Sequence, residues 1–444
     1  MIAQADPAVF LRWLPLLGGL VVLGLLWGAM RAAAKQRLID GLPTCKTTGV
    51  FIGLVEVKGT AEATASLRSH LAEIPCVHYA WTVEEQWSRL VTETETDSKG
   101  NTRTRTRRES GWTTVANGGE QAPFYLRDDC GVLQVRPDGA KIEPQEVFEE
   151  TCGRGDALYY AKGPAGAIPD SDHKRSFREV AIPLHAPIYV MGRARERDDV
   201  VAAEIAADPT APLFLISTRD ERQISGGYRI TYWVLVCLGL VIASAAAGFG
   251  FPDLSPTAGR EWIPFVLGAA AFLGAMLLAW TWMVYNSLVD LRNRVASAWS
   301  QVDVQLKRRF DLIPRLESVL HGLQHHERSV QEGLAALRSQ RDATPPGVTG
   351  PDFHALGGRV QMLLERYPDL KASEGFRKLH EELVGTEQRI ALARGYYNEI
   401  ATHYNTVLEV VPERFVAGFT RLQPRALLGA GDFERAPVAV TLAR

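Results

Sequence analysis

The chain has 444 residues, room for two or three domains, and its 49 basic and 51 acidic residues leave a net charge of −2. That balance excludes a global basic field of the kind that holds nucleic acid by counterion release. The 5 cysteines (Cys45, Cys76, Cys130, Cys152 and Cys237) are odd in number and scattered, with no Cys-x-x-Cys pair. This argues against a disulfide framework or a zinc site and suits a reducing compartment.

Residues 13–30 are an uncharged run with Trp13 and Trp27 near its ends. About 20 apolar helical residues cross the hydrocarbon core, so the run predicts a first membrane span. A cleavable signal peptide is the alternative, because "AMRAAAK" holds small residues. The nearly neutral start and the positive charges after the run speak against it.

Residues 36–225 then read mostly with a period of two. "VFIGLVEVKGTAEA", "CVHYAWTVEEQW", "FYLRDDCGVLQV", "EVAIPLHAPIYVMGRA" and "APLFLISTRD" are short alternating or apolar runs punctuated by Gly, Pro and Asp. They predict a β-rich domain, a small barrel or a sandwich, with a short helix near residues 63–74. Within it, "TETETDSKGNTRTRTR" (92–107) predicts a solvated hairpin around a loop of Ser98, Lys99 and Gly100. In that register Glu95 faces Arg103, Glu93 faces Arg105 and Thr94 faces Thr104, and such cross-strand pairs are stabilising. A disordered tail and a basic binding arm are the other readings. The acids neutralise the arginines, so the hairpin is a contact surface without chemistry. Cys76 and His78 share a strand face, but two ligands at this spacing are weak evidence of metal, and burial of Cys76 is the better reading.

The runs "GLVEVKGTAEA", "PCVHYAWTVEE", "FYLRDDCGVLQVRPDGA" and "REVAIPLHAPIYVMGRA" resemble the GIDE domain. That domain lies between two membrane spans in a mitochondrial E3 ubiquitin ligase family and in bacterial relatives. The resemblance implies a ubiquitin-protein transferase-like role. In that family, however, transfer is carried by a C-terminal RING, whose zinc ions need closely spaced Cys and His. Here no cysteine follows Cys237, so this sequence builds no RING.

Residues 230–251 and 262–285 are two more uncharged runs, which predict a second and a third span. Arg31, Lys35 and Arg37 follow the first run, Arg219, Arg222 and Arg229 precede the second, and Arg292, Arg294, Lys307, Arg308 and Arg309 follow the third. The hairpin between the last two runs has the single basic residue Arg260. Positive charge stays inside, so both large domains are expected in the cytoplasm of an inner-membrane protein.

From residue 286 the period is helical. Val284, Leu288, Leu291, Val295, Ala298 and Val302 form one heptad-like seam, Ile313 to Leu337 a second, and Phe376 to Val411 a third. "DATPPGVTGPD" (342–352) turns the chain, so an antiparallel helical bundle is expected over 286–444. Asp311 either caps a new helix with Pro314 in its first turn, or one long helix kinks there. Glu387, Ala391, Arg394, Asn398, Ala401 and Asn405 form a polar and small stripe, and Glu327 occupies a seam position. The stripe is either a network that fixes helix register or a docking groove. His321 and His325 lie one turn apart, but outside the seam and in no His-Glu-x-x-His motif.

"YNSLVDLRNRVASAWSQVDVQLKRRFDLIPRLESVL", "HERSV", "ERYPDLKA", "ARGYYNEIATHYN" and "VPERFVAGF" resemble the LemA family of membrane-anchored bacterial helical bundles. The resemblance implies no established reaction. The expected architecture is thus an α+β membrane protein with three spans, a β-rich domain and a helical bundle. Its expected role is a bacterial scaffold or sensor. Its partners are the bilayer and an unidentified protein, not nucleic acid, and the seams leave room for an oligomer through the bundle. No catalytic, cofactor or metal residues are assigned. The rival readings are the ubiquitin ligase-like role and a metal-dependent hydrolase built on the bundle histidines.

Overall fold

The computed structural model describes residues 7–96, 102–197, 202–251, 260–323 and 374–428. They fall into two units, Thr44–Ile224 and the remainder, each considered by itself. The chain opens on helix α1 (Pro7–Asp40). Strands β1 (Thr44–Cys45), β2 (Gly53–Glu62), β3 (Leu67–Arg68), β4 (Pro75–Thr96), β5 (Thr102–Gln121), β6 (Phe124–Arg127) and β7 (Val132–Val135) follow. Next come β8 (Lys141–Glu143), β9 (Gln145–Gly153), the short helix α2 (Ala157–Ala161), β10 (Ser171–Pro183), β11 (Pro187–Glu196), β12 (Ala203–Ala206) and β13 (Leu215–Ser217). Helices α3 (Glu221–Gly250), α4 (Ile263–Leu323), α5 (Glu374–Glu409) and α6 (Glu413–Thr420) complete the described chain.

In the first unit β2 pairs with β6, β6 with β7, β7 with β12, β12 with β11, and β11 back with β2, which closes a small barrel. Val55, Val57, Leu126, Val135, Val190 and Ile205 are buried there. A second sheet runs β5–β4–β10–β9, with β3 as a short edge. β4 and β5 outgrow it. β10 pairs with β4 only as far as Trp87, whereas β5 pairs with β4 out to Thr96, so the last nine residues of β4 form a two-stranded ribbon about 30 Å long.

The ribbon has the register expected from its charges: Glu93 opposite Arg105, Thr94 opposite Thr104, Glu95 opposite Arg103. The loop assigned to residues 98–100 lies outside the described residues. Nearer the sheet, Trp81 covers Gly118 and Trp87 covers Gly111, with a would-be Cβ only 3.0 and 3.1 Å from the indole rings. Six residues separate the tryptophans and seven the glycines. A bulge after Val83 takes up the extra residue and keeps both pairs on one face.

No helix forms at residues 63–74, which corrects that expectation. Leu67 and Arg68 pair with Cys76 and Pro75 as β3, and the turn between them wraps a carboxylate. Glu179, fully buried on β10, accepts hydrogen bonds from the backbone N–H groups of His70 (2.7 Å), Leu71 (3.0 Å) and Ala72 (2.7 Å). Three N–H groups converging on one charge leave none for a helical ladder.

In the second unit, α1, α3 and α4 each contain a segment long and apolar enough to cross a membrane: Pro15–Asp40, Glu221–Gly250 and Ile263–Arg308. Small residues bring the helices together, as is usual where lipid replaces water as the solvent. A Cβ on Gly18 would stand 2.5 Å from that of Ala246, and one on Gly268 would stand 2.6 Å from the carbonyl of Ala243. Leu20, Trp27, Val241, Leu277 and Trp282 are exposed on the outer surface of the helices. The ends are ordered. Pro15, Gly250 and Phe265 lie near one end, while Met30, Ala33, Tyr232 and Met283 pack near the other.

α4 remains helical through Asp311 and Pro314, so no new helix starts at Asp311. The whole first seam is buried, from Val284 to Val302, and α5 packs along it with Tyr397, Ile400, Ala401 and Tyr404. Trp299 meets Tyr397 edge to face, with ring centroids 5.3 Å apart.

Candidate functional site

The dipeptide Tyr-Asn occurs twice on α5, at 397–398 and 404–405. Seven residues are two helical turns, so the two copies stack on one face of the helix. The tyrosine of each copy belongs to the buried seam, and the asparagine sits beside it, half-buried.

The main chain that follows α6 lies across this face. Arg421 takes a left-handed conformation (φ 51°), which ends α6 and reverses the chain. Residues 422–428 then run without helix or sheet pairing. Asn405 donates from Nδ2 to the Arg425 carbonyl and accepts at Oδ1 from the Arg425 N–H, both at 2.8 Å. Asn398 does the same with Leu428, at 3.0 and 2.8 Å. Tyr404 donates to the Gln423 carbonyl (3.2 Å) and Tyr397 to the Ala426 carbonyl (2.8 Å). Each asparagine thus offers a residue the two bonds that a neighbouring strand would give. Burial raises the ionisation of both tyrosines above the usual phenol range, with Arg425 working weakly against it, which keeps both hydroxyls protonated as donors.

The spacing is matched. Moving from Asn405 to Asn398 advances about 10.5 Å along the helix, and three extended residues advance about 10 Å. Leu422 and Leu428 pack half-buried against the α4–α5 core, while residues 423–427 are exposed. The ladder therefore grips backbone and leaves the intervening side chains in solvent.

The other candidates are distributed differently. Glu387 and Arg394 lie half-buried on α5, and Glu327 lies outside the described residues, as do His325, His326 and the side chain of His321. Glu93 and Arg105 are exposed on the ribbon, whereas the side chains of Glu95 and Arg103 are outside the described set. Sequence reading singled out Asn398 and Asn405 but missed their partner. The seven-residue repeat of Tyr-Asn was a visible signal. The segment "LQPRALL" has no periodicity that would have announced it.

The barrel unit holds polar constellations of another kind. Arg175 and Glu85 are both fully buried, with Nε and Nη2 of the guanidinium each 3.0 Å from Oε2. Arg175 also donates to the carbonyls of Tyr159, Pro164 and Gly166, and it stacks 3.9 Å over the Tyr159 ring. Burial opposes the charge on Glu85, but hydrogen bonds from Ser171, Arg175 and Tyr159 outweigh it and hold the carboxyl below the usual range. All five guanidinium donors are used, so the pair staples the 159–166 loop to the sheet.

Asp128, Asp129 and Cys130 are the one group of three metal-type side chains close together among the described residues. Asp128 already accepts from Thr47, Cys130 and Gly131, and Asp129 pairs with Lys46 at 2.6 Å, which leaves a poor cation site. The Cys76 thiol is pushed up to about 11, first by burial, so it is protonated at neutral pH.

Two family models match this chain. The LemA family model matches residues 298–442, and the GIDE model, described as E3 Ubiquitin ligase, matches residues 92–248. Protein LemA of Metamycoplasma hominis is 27% identical over 158 residues, which cover 34% of this chain and 72% of that protein. No solved structure matches. The expected joining of GIDE-like and LemA-like segments in one chain is thus found, and with the three apolar helices it fits a membrane-associated protein.

Proposed function

We propose that the chain is a multi-pass inner-membrane scaffold of bacteria that presents its β-rich unit and an antiparallel LemA-like bundle to the cytoplasm and works through protein contacts. The observation that carries the reading is the order of the helix ends. Met30 and Ala33 of α1, Tyr232 of α3 and Met283 of α4 pack together, and Ser225 donates to Asp40 at 2.5 Å. The chain therefore leaves α1 and re-enters α3 at one end of the helix trio, and α4 runs out from that same end. The basic residues flanking these helices cluster there too, which supports the cytoplasmic side. The edge-to-face contact of Trp299 with Tyr397, together with a cavity that Arg308 lines with Lys378, Glu382 and Arg389, supports an antiparallel course for α4 and α5.

Topology reporters test this. Fusions at residues 100 and 444 should read cytoplasmic and one at residue 255 external, and an external signal at 444 overturns the model. Ubiquitin transfer is not part of the proposal, because a RING needs clustered Cys and His ligands and no cysteine follows Cys237. Purified protein should accordingly carry no stoichiometric zinc and accept no ubiquitin from a charged E2.

A further inference from the structure

We infer that the Tyr397–Asn398–Tyr404–Asn405 face of α5 is a docking site for an extended peptide segment of another protein, and that Leu422–Leu428 occupies it in cis as a built-in competitor. The inference rests on the scaffold reading and names the chemistry of its partner. Three observations carry it. The contacts go to main chain at four residues, 423, 425, 426 and 428, so the ladder selects conformation before sequence. The helical repeat of seven matches three extended residues, so a foreign strand can keep register over both asparagines. The occupant is held at the rim, with its central side chains exposed and only Leu422 and Leu428 anchored, and not sealed into the core.

The geometry specifies the ligand. It is extended, with apolar residues at its first and seventh positions, equivalent to Leu422 and Leu428. The fourth and seventh positions must carry N–H groups, because Arg425 and Leu428 donate them, so neither is proline. Proline is accepted at the third position, where Pro424 stands and no N–H is used, and it favours an extended residue before it. A foreign segment must displace a tethered one, so its apparent affinity falls by the fraction of time the site is open.

A labelled peptide with the sequence of residues 420–430 is the probe, and fluorescence anisotropy on the detergent-solubilised full chain is the readout. Two opened forms are compared with the intact protein: a chain stopped after Arg421, and the full chain with Arg425→Pro in its own segment, which keeps every other residue. Both should bind the peptide at least tenfold more tightly than the intact chain. Adding Asn398→Ala and Asn405→Ala should abolish that gain, and a peptide carrying Arg425→Pro should fail on every form. Equal binding to intact and opened forms, or binding that survives loss of both asparagines, overturns the inference. So does a dimer of the intact chain that Arg425→Pro dissolves, because the segment would then be exchanged between copies. None of these outcomes bears on membrane topology, so failure here is separable from failure of the scaffold reading.

Discussion

Glu179 and the pair Asn398/Asn405 perform the same task in different surroundings. Each is a side chain that grips a stretch of main chain lacking secondary structure of its own. Glu179 is fully buried, charged, and collects three consecutive N–H groups within the sheet. The asparagines are neutral, half-buried, and meet two residues of a segment whose centre is exposed. Buried charge-assisted bonds fix a turn as part of the fold, because breaking them strands a charge away from water. Neutral bonds at a rim trade with water at little net cost, so the segment they hold can leave while the fold persists.

The largest effect should come from the other buried charge in the barrel unit. Arg175→Ala leaves Glu85 without its counter-ion at a fully buried site, and it should cost about 3–5 kcal/mol in urea unfolding followed by tryptophan fluorescence. Changing Glu85→Gln in the same chain should recover much of that loss. Glu179→Ala should follow at about 2–3 kcal/mol, since one buried and two half-buried donors lose their acceptor. Asn405→Ala should cost only about 1 kcal/mol of global stability, yet raise tryptic cleavage after Arg425 severalfold. A global loss as large as that of Glu179→Ala would erase the contrast between the two clasps.

How legible this contrast was in the sequence follows from how local each signal is. The α4 seam from Val284 to Val302 was readable because burial of one helix face repeats along the chain. The ribbon register was readable because opposite charges recur at matched distances from the turn. Residues 63–74 were misread as helix because the acceptor that organises them, Glu179, is over a hundred residues away. The length of β5 was hidden as well. Gly111, Gly118 and Gly119 weaken a strand pattern, but the cross-strand indoles of Trp87 and Trp81 cover Gly111 and Gly118, and Gly119 lies close against the Tyr79–Ala80 backbone. At α5 the asparagines were picked out, but their partner is backbone, which leaves no mark in a sequence.

Acid should weaken the barrel unit through His78, whose ionisation is lowered below its ordinary 6.5 by burial. A base with a depressed folded value stabilises the fold while neutral. Stability is therefore complete above the ordinary value and falls as pH drops through it. His78→Gln should flatten that slope between about pH 7 and pH 5. The smallest effect belongs to the ribbon. Glu93→Arg alone places like charges opposite Arg105 and should cost up to about 1 kcal/mol, and adding Arg105→Glu should restore it. Equal costs for the single and double changes would mean that the ribbon register contributes nothing.

Hydrogen exchange of the intact chain in detergent tests the two clasps side by side. The amides of Arg425 and Leu428 should be protected but exchange through a local opening, well before the amides of Leu71 and Ala72, which should wait for opening of the whole sheet. Asn398→Ala with Asn405→Ala should remove protection at 425 and 428 and leave 71 and 72 unchanged. Protection at Arg425 equal to that at Leu71, released only by global unfolding, would contradict the account, because the segment would then be a fixed part of the fold and not an exchangeable occupant.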